Sequence, residues 1–257
     1  MLLIGIPAYG QHDYTHALIG DLRRERADFV ILDNRGDYPR LGDEKVITPG
    51  RNLGWAGGSN FIFRHAFANG YTRAMTLNND TRLSPGFVDA MLDPRLPGDA
   101  GIVVPVYDDV NGHLRILSDY RGPAGDYQPK PVLRKLPFTD GCAFMITKEA
   151  WSAVGDFDER AFGRFAWGAD VDLCLRARLA GFGVYATEMA YINHFGRKSA
   201  TGLSRLYGAR AQFRYRYGLL RYWHKDWRLL TTRTSNIPLP PAPQEPVAGE
   251  NAGRGRN

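Results

Sequence analysis

Short apolar segments alternate with helix-forming segments along this chain, and the alternation limits the folds available to it. Strands are predicted at residues 2–7, 28–34, 45–48, 73–80, 101–106, 138–146 and 183–187. Helices are predicted at 12–26, 61–70, 85–92 and 169–181, with Ser84-Pro85 as a typical helix start. Such alternation favours an α/β fold, in which a mostly parallel sheet carries helices on both faces.

Polar residues follow three of the predicted strands at the point where each strand ends. They are the segments Pro7-Ala8-Tyr9, Asp33-Asn34 and Asn78-Asn79-Asp80. In parallel sheets, ligands bind beyond the carboxyl ends of the strands. The agreement among three strands therefore predicts one binding site at this edge of the sheet.

A glycine-rich segment, Asn52–Asn60, lies between the third predicted strand and the next helix. Its glycines would let the backbone approach a ligand, and a helix beginning near Asn60 would offer free N–H groups to phosphate or sugar oxygens. The spacing of the glycines differs from the dinucleotide-binding pattern. On the residues alone, a tight turn with Asn60 as the helix N-cap is the simpler interpretation.

The net charge of +6 is concentrated in the C-terminal part of the chain. Residues 1–202 carry 23 basic and 24 acidic side chains, a net of −1, whereas residues 203–257 carry 10 basic and 3 acidic side chains, a net of +7. A body that binds nucleic acid would need a positive face of its own. The charge distribution therefore argues against nucleic acid as a partner.

Residues 203–230 combine basic residues with aromatic and apolar residues at helical spacing, which predicts a basic aromatic helix. Packing against the body is the first expectation for this helix, and contact with an anionic membrane surface is the second. An oligomer contact is a further alternative. Five prolines within 238–246 predict a disordered tail from Thr234 onward. We therefore divide the chain into a domain at 1–202, a helical extension at 203–233 and a tail at 234–257.

Cysteine content and hydropathy predict the compartment. Two cysteines, Cys142 and Cys174, cannot form a disulfide framework or a four-cysteine zinc site. No apolar run is long enough to cross a membrane, and the initial MLLIGIPAYG fits a buried strand better than a secretory signal. These features predict a cytoplasmic protein, located at the inner face of a membrane if the basic helix binds one.

Eight segments carry most of the polar and glycine-rich character described above. They are IPAYG, LDN, NLGWAGGSN, LNND, DG, GDFDERAF, ADVDLCLRARLAG and NHFGRKS. Their order and spacing resemble those of family 2 glycosyltransferases with the GT-A fold, in particular the rhamnosyl- and galactofuranosyltransferase branch, over about residues 2–199. The resemblance implies a Rossmann-like GT-A enzyme that moves a sugar, with inversion, from a nucleotide-diphosphate donor to an acceptor hydroxyl. A UDP- or dTDP-sugar is the expected donor, and a glycan, a lipid-linked saccharide or a protein is the expected acceptor.

The resemblance also implies a divalent metal, Mn²⁺ or Mg²⁺. Asn78-Asn79-Asp80 occupies the position of the family's Asp-x-Asp motif, where Asp80 is expected to bind the metal and Asn78 and Asn79 to contact the donor. His194 corresponds to the histidine that completes the metal site in related enzymes. On the residues alone, a polar turn and a structural histidine are the alternatives.

Asp170 corresponds to the catalytic base in the family's Glu-Asp-x-Asp-Leu motif, and the resemblance assigns it that role. Ala169 replaces the glutamate of that motif. Asp172 is expected to be structural, either paired with Arg176 or capping the helix, because carboxylates are common in the first turn of a helix.

The resemblance places the donor nucleotide at the ends of the first two strands. Asp33 would contact the base, and Pro7, Ala8 and Tyr9 would form the first nucleotide-contacting loop. Strand-end capping by Asp33 and core packing of Tyr9 are the structural alternatives. The other expected donor contacts are Asn52, Gly54, Gly57, Asn60, Arg197, Lys198 and Ser199, and the expected acceptor contacts are Asp140, Gly141 and Trp167.

Two other functions remain compatible with parts of this pattern. A sugar nucleotidyltransferase would carry a glycine- and arginine-rich loop after its first strand, and the segment AYGQHDY lacks one. A non-catalytic nucleotide-sugar-binding module stays open, because the metal motif has a single carboxylate and Ala169 replaces a glutamate. Release of sugar from the donor distinguishes a transferase from such a module.

Overall fold

The computed structural model describes residues 1–110, 112–163, 166–196, 205–223, 225–230 and 232–241. Its strands are β1 Leu2–Ala8, β2 Asp28–Asp33, β3 Lys45–Ile47, β4 Arg73–Leu77, β5 Thr81–Leu83, β6 Ala100–Tyr107, β7 Val132–Lys135, β8 Ala143–Thr147, β9 Gly183–His194 and β10 Ser235–Pro238. Its helices are α1 His12–Arg24, α2 Gly54–Ala68, α3 Phe87–Met91, α4 Lys148–Val154, α5 Glu159–Phe162, α6 Ala169–Leu179, α7 Arg205–Trp223 and α8 Trp227–Leu230.

In the described residues these strands form one sheet, in the order β10-β7-β9-β6-β8-β4-β1-β2-β3, with β5 paired to β9. Strands β3, β2, β1 and β4 are parallel. Strands β6 and β9 run in the same direction as β4, because β8 between β4 and β6 is antiparallel to both. The carboxyl ends of β1, β2, β4, β6 and β9 therefore meet at one edge, and the predicted mostly parallel α/β sheet is confirmed.

The central strands are buried on both faces of the sheet. Residues Leu2 to Ile6 of β1 are all buried, although successive side chains of a strand point to opposite faces. Helix α2 covers β1 so closely that a Cβ at Gly5 would come within 2.3 Å of Ile62. Glycine at position 5 thus lets this helix pack directly on the strand.

Helix α2 begins at Gly54 rather than at residue 61. The Asn52 side-chain oxygen accepts a hydrogen bond from the Gly54 N–H (2.8 Å) at the helix start. Gly58 lies inside the helix, where a Cβ would come within 3.2 Å of Leu32. The small residues therefore serve close helix packing, and the predictions of an open glycine-rich loop and of an N-cap at Asn60 are wrong.

Helix α3 begins at Phe87 rather than at residue 85, because Ser84 does not cap it. The Ser84 Oγ instead accepts a hydrogen bond from the Tyr191 N–H (3.1 Å), which ties this turn to β9. Strand β9 continues beyond the predicted end at residue 187, since β5 pairs with its last residues. The extension carries His194 to the carboxyl edge of the sheet.

The segment after residue 234, predicted to be disordered, begins with strand β10. This strand pairs antiparallel with β7. Leu239 follows it and packs against Leu133 and Tyr185. Backbone hydrogen bonding to a free sheet edge thus outweighs the proline content here, and residues 242–257 lie outside the described part of the chain.

The single helix predicted over 203–230 is divided into α7 and α8. Helix α7 packs against the body as expected first, since Ala211 and Trp223 are buried and the Trp223 indole donates to Asp172 Oδ1 (3.0 Å). Among the helices that the structure describes, none has the length and apolar character needed to cross a membrane.

Candidate active site

A cavity of about 400 Å³ opens at the carboxyl edge of the sheet. Asn78 after β4, Asp109 after β6 and His194 at the end of β9 line one part of it. Asp170, in the first turn of α6, and two side chains of α7 line another part. The fold therefore brings Asn78, Asp170 and His194, all predicted as site residues from the sequence, into one cleft.

The imidazole of His194 is held between two carboxylates. Its Nδ1 lies 3.0 Å from Asp109 Oδ2, and its Nε2 lies 3.5 Å from Asp80 Oδ1 and 3.4 Å from Asn78 Nδ2. Burial on its own would lower the pKa of His194, but Cys142 and the two carboxylates raise it above its ordinary value. Asp109 thus orients the ring so that Nε2 points toward Asp80.

The Asp80 carboxylate and the His194 imidazole could supply two of the ligands of a divalent ion. A carboxylate oxygen and an imidazole nitrogen 3.5 Å apart can bind one ion at bond lengths of about 2.0–2.2 Å. The carboxylate on Nδ1 is the kind of partner that orients metal-binding histidines. Within the described ranges, no group of three histidine, cysteine, aspartate or glutamate side chains could hold a metal ion. A metal at this position would therefore need further ligands from a bound molecule or from water.

Asp170 has the properties of a proton acceptor. It follows Gly168, whose left-handed conformation (φ 89°) starts α6, and its Oδ1 accepts a hydrogen bond from the Val171 N–H (2.8 Å). Burial and the negative charge of Asp140 raise the pKa of Asp170 to about 7. A carboxylate that titrates near neutral pH can take a proton from an acceptor hydroxyl.

Asp172 has the structural role that its helix position predicts. Its Oδ2 accepts a hydrogen bond from Arg176 Nε (2.8 Å), and its Oδ1 accepts one from Trp223 Nε1 (3.0 Å). The second bond anchors the end of α7 on α6. Helix α7 is thereby held beside the cavity that its own Gln212 and Tyr215 line.

Tyr9 and Asp33 lie at the ends of β1 and β2. Tyr9 is 44% exposed, so the alternative of core packing for this residue is wrong. Asp33 is 4% exposed, and its carboxylate accepts hydrogen bonds at 2.8–3.2 Å from the backbone N–H groups of Arg35, Gly36 and Tyr38. This capping of the turn after β2 is the structural alternative that the sequence offers for Asp33.

Of the predicted donor-contact residues that the structure describes, only Asn78 lines the cavity. Asn79 donates to Gly10 O (3.2 Å) and Thr15 Oγ1 (3.0 Å), which fixes the loop between β1 and α1. Asn60 is 1% exposed and bonds both backbone groups of Phe157, so its amide is closed to a ligand. The rest lie at the ends of β1 and β2 or in the α2 region: Pro7, Ala8, Tyr9, Asp33, Asn52, Gly54 and Gly57. Arg197, Lys198 and Ser199 are outside the described residues.

Asp140, Gly141 and Trp167 line the cavity together with residues that sequence reasoning missed, among them Trp55, Asp109, His113 and Thr139. The Trp55 indole donates to Asn78 Oδ1 (3.1 Å), and its ring covers Gly141, where a Cβ would come within 2.1 Å of the ring. A tryptophan next to glycines was the available signal for Trp55. His113 and Thr139 belong to no motif.

No protein-family model matches the chain. Uncharacterized proteins Rv1525 of Mycobacterium tuberculosis and Mb1552 of Mycobacterium bovis are each 58% identical to it over 199 residues, which are 77% of this chain and 76% of theirs. The dTDP-rhamnosyl transferase RfbF of Shigella flexneri is 27% identical over 202 residues, which are 72% of this chain and 65% of RfbF.

Three solved structures show which fold the chain shares. GalNAc-T7 with UDP, GalNAc and Mn²⁺ has a TM-score of 0.62 at 14% identity, covering 88% of this chain but only about half (49%) of that one. Mannosyltransferase PcManGT of Pyrobaculum calidifontis, in complex with GDP-Man and Mn²⁺, has a TM-score of 0.59 at 12% identity, covering 87% and 64%. TarS 1–349 of S. aureus has a TM-score of 0.53 at 12% identity, covering 90% and 75%. The chain therefore has the GT-A glycosyltransferase fold, and by sequence it belongs to the family of the mycobacterial proteins Rv1525 and Mb1552.

Proposed function

We propose that this protein is a metal-assisted, inverting glycosyltransferase that uses a nucleotide-sugar donor. The observation that carries the proposal is the single cleft shared by Asp170, which has a pKa of about 7, and by the His194 ring that contacts Asp80. The nucleotides and Mn²⁺ in the similar structures support a nucleotide-sugar donor with a divalent metal. We propose a UDP- or dTDP-sugar, and the name of the S. flexneri relative supports the latter.

In this mechanism Asp170 takes the proton of the acceptor hydroxyl while the hydroxyl oxygen bonds to the anomeric carbon. The bond from that carbon to the diphosphate breaks, and its electron pair leaves with the nucleoside diphosphate. The hydroxyl attacks from the side opposite the leaving group, so one displacement inverts the carbon. A divalent ion held by Asp80 and His194 would neutralise the charge that develops on the diphosphate.

Asp140 is the neighbouring carboxylate that helps to raise the pKa of the proposed base, Asp170. Its Oδ2 accepts a hydrogen bond from the Tyr107 hydroxyl (2.7 Å), and its Oδ1 accepts one from the Cys142 N–H (3.2 Å). These bonds fix the Asp140 carboxylate near Asp170, where its charge opposes ionisation of the base. The pKa that results suits proton removal near neutral pH.

We propose that the enzyme works in the cytoplasm, because a reducing compartment suits its two free cysteines. Both are buried. Burial raises the pKa of Cys142 to about 12, so this thiol stays neutral and takes no part in the proposed chemistry.

Asp170→Asn tests the proposed base. Asparagine keeps the shape of the side chain but cannot accept the proton, so transfer should fall by about 10²–10⁴-fold while donor affinity is retained. In the unaltered protein, kcat/KM should rise with pH up to about 7 and level off above it, because the ionised form of Asp170 is the active one. Initial rates with nucleotide sugars and Mn²⁺ measure transfer, and ligand-dependent thermal shifts measure donor binding.

The matched control is Asp119→Asn, which makes the same change where the side chain is 90% exposed, and it should leave transfer unchanged. Normal transfer by Asp170→Asn would remove Asp170 from the mechanism. Donor binding by the unaltered protein with no transfer and no release of sugar would instead indicate a binding module.

A further inference from the structure

Helix α7 has two faces of different character. Its inner face packs on the body and reaches the cavity through Gln212 and Tyr215, while Ala211 and Trp223 are buried beneath it. Its outer face carries Phe213, which is 68% exposed. An α-helix is about 10 Å across, so whatever covers the outer face lies about that far from the cavity lining.

The outer face of α7 carries an exposed apolar stripe. Phe213, Tyr217 and Leu220 follow one another at positions i, i+4 and i+7, which places them on one side of a helix. They are 68, 45 and 67% exposed, and the rings of Phe213 and Tyr217 stack with centroids 6.1 Å apart. Large apolar side chains this exposed and this close together indicate an interaction surface.

Basic residues border the apolar stripe on both sides. At 100° per residue, Arg210, Arg214 and Arg221 form a row along one side of it, and Arg216 lies on the other side. All four side chains are exposed. Residues 205–230 contain seven basic residues and one acidic residue, whereas residues 1–202 have a net charge of −1.

We propose that this face of α7 docks the protein on an anionic lipid surface. Apolar and aromatic side chains enter the boundary between headgroups and acyl chains, while flanking arginines pair with the lipid phosphates. The aliphatic Leu220 in the stripe suits acyl chains better than a nucleic acid backbone. A second copy of the chain would bring two positive faces together.

The docking also indicates which class of acceptor the enzyme uses, and this extension rests on the proposed function. With α7 flat on a membrane, the cavity opens within about one helix diameter of the lipid headgroups. The acceptor class that this geometry serves is a saccharide carried on a membrane lipid. Docking itself is measured without any sugar transfer, so the two proposals can fail separately.

Vesicle binding tests the docking surface. The full chain should sediment with vesicles of phosphatidylcholine containing about one third phosphatidylglycerol, and much less with pure phosphatidylcholine. The double variant R210Q/R214Q should lose about fivefold in affinity per charge, or about 25-fold together. R40Q/K148Q removes two exposed charges elsewhere on the chain and should bind like the unaltered protein.

A second pair of variants tests the apolar stripe. F213S/L220S should weaken vesicle binding by about tenfold or more, since both side chains leave the lipid. L41S/L179S also replaces two exposed apolar side chains by serine, at residues that are 50 and 62% exposed, and should not weaken it. Circular dichroism and melting temperature should be unchanged in F213S/L220S, because neither side chain packs in the body.

Three outcomes would overturn the docking proposal. The first is equal sedimentation with both vesicle types or with neither. The second is a dimer in light scattering that becomes a monomer in F213S/L220S. The third is binding of single-stranded oligonucleotides that competes with vesicle binding. Donor turnover without vesicles is measured in parallel. If the unaltered protein binds anionic vesicles but turns over no donor, the proposed function fails and the docking surface stands.

Discussion

At the scale of single residues, Asp170 opposes the stability of the fold that holds it. Its carboxylate lies in a cavity wall near Asp140, and both burial and that neighbouring charge favour the protonated form. The fold tolerates this cost because α6 is anchored elsewhere, through the Asp172 bonds to Arg176 and Trp223. A destabilised ionisable group in a cleft is typical of active sites.

Asp170→Asn should therefore stabilise the protein at alkaline pH. The folded-state pKa of about 7 lies above the ordinary value of 3.8, so the folded protein holds a proton that the unfolded chain releases between these values. Stability from this group is present at low pH and is lost as pH rises toward 7. At pH 8 the free energy of unfolding of the variant should be about 1–2 kcal/mol higher than that of the unaltered protein, and its Tm should be a few degrees higher. The difference should shrink at pH 5, and an equal gain at both values would contradict the assigned pKa.

At the scale of elements, α2 shows how a segment that looks like a loop becomes part of the core. Its small residues let it approach β1 and β2, and Asn60 in its second turn bonds the N–H and C=O of Phe157. Trp55, in the same helix, covers Gly141 and bonds Asn78 in the cavity. The helix thus links the segment before α5 with the cavity.

Asn60→Ala tests this link. The variant leaves the buried Phe157 N–H and C=O without their partner, so the free energy of unfolding should fall by about 2–3 kcal/mol in urea denaturation. Asn69→Ala, at the exposed end of the same helix, removes one solvent-accessible bond to His65 O and should cost less than about 0.5 kcal/mol. Equal costs at the two sites would show that the Asn60 amide has no special role.

At the scale of the whole molecule, the sheet collects residues that are far apart in the sequence. Asp80 and Asp109 follow two strands and contact His194 in a third, because these strands end at one edge of the sheet, and α6 adds Asp170 to the same cleft. The outermost strand at the end of the sheet opposite β3 is β10, which pairs with β7 and brings Leu239 against Tyr185. The chain after residue 234 is thus part of the folded body as far as this strand.

A chain that ends at Arg233 should be less stable than one that ends at Pro241. Both lack residues 242–257, and only the shorter one loses β10, the buried Leu239 and the Arg95 bond to Pro240 O. We expect a loss of about 2–3 kcal/mol, seen as a lower Tm, and faster aggregation through the exposed edge of β7. Identical melting and solubility of the two chains would mean that β10 adds nothing to the fold.

The sequence by itself determined the α/β class and the edge of the sheet at which polar residues lie, and it singled out Asn78, Asp170 and His194, which line the cavity. The class and the edge follow from periodicity and from strand ends, which are local properties of the chain, whereas Asp170 and His194 follow from the resemblance of the motif order to family 2 glycosyltransferases. The sequence did not determine the start of α2, the length of β9 or the strand β10. Each of these depends on a partner distant in sequence. Helix α2 packs Gly58 on Leu32, the end of β9 pairs with β5, and β10 pairs with the free edge of β7.

Only the tertiary structure decided which polar residues reach the cavity. Asn60 and Asn79 have the composition of ligand contacts, yet backbone groups across the fold satisfy their amides. Trp55 and Thr139 belong to no polar pattern, yet they line the cleft. Whether a polar side chain meets a ligand or the protein depends on which groups surround it after folding, and local sequence does not contain that information.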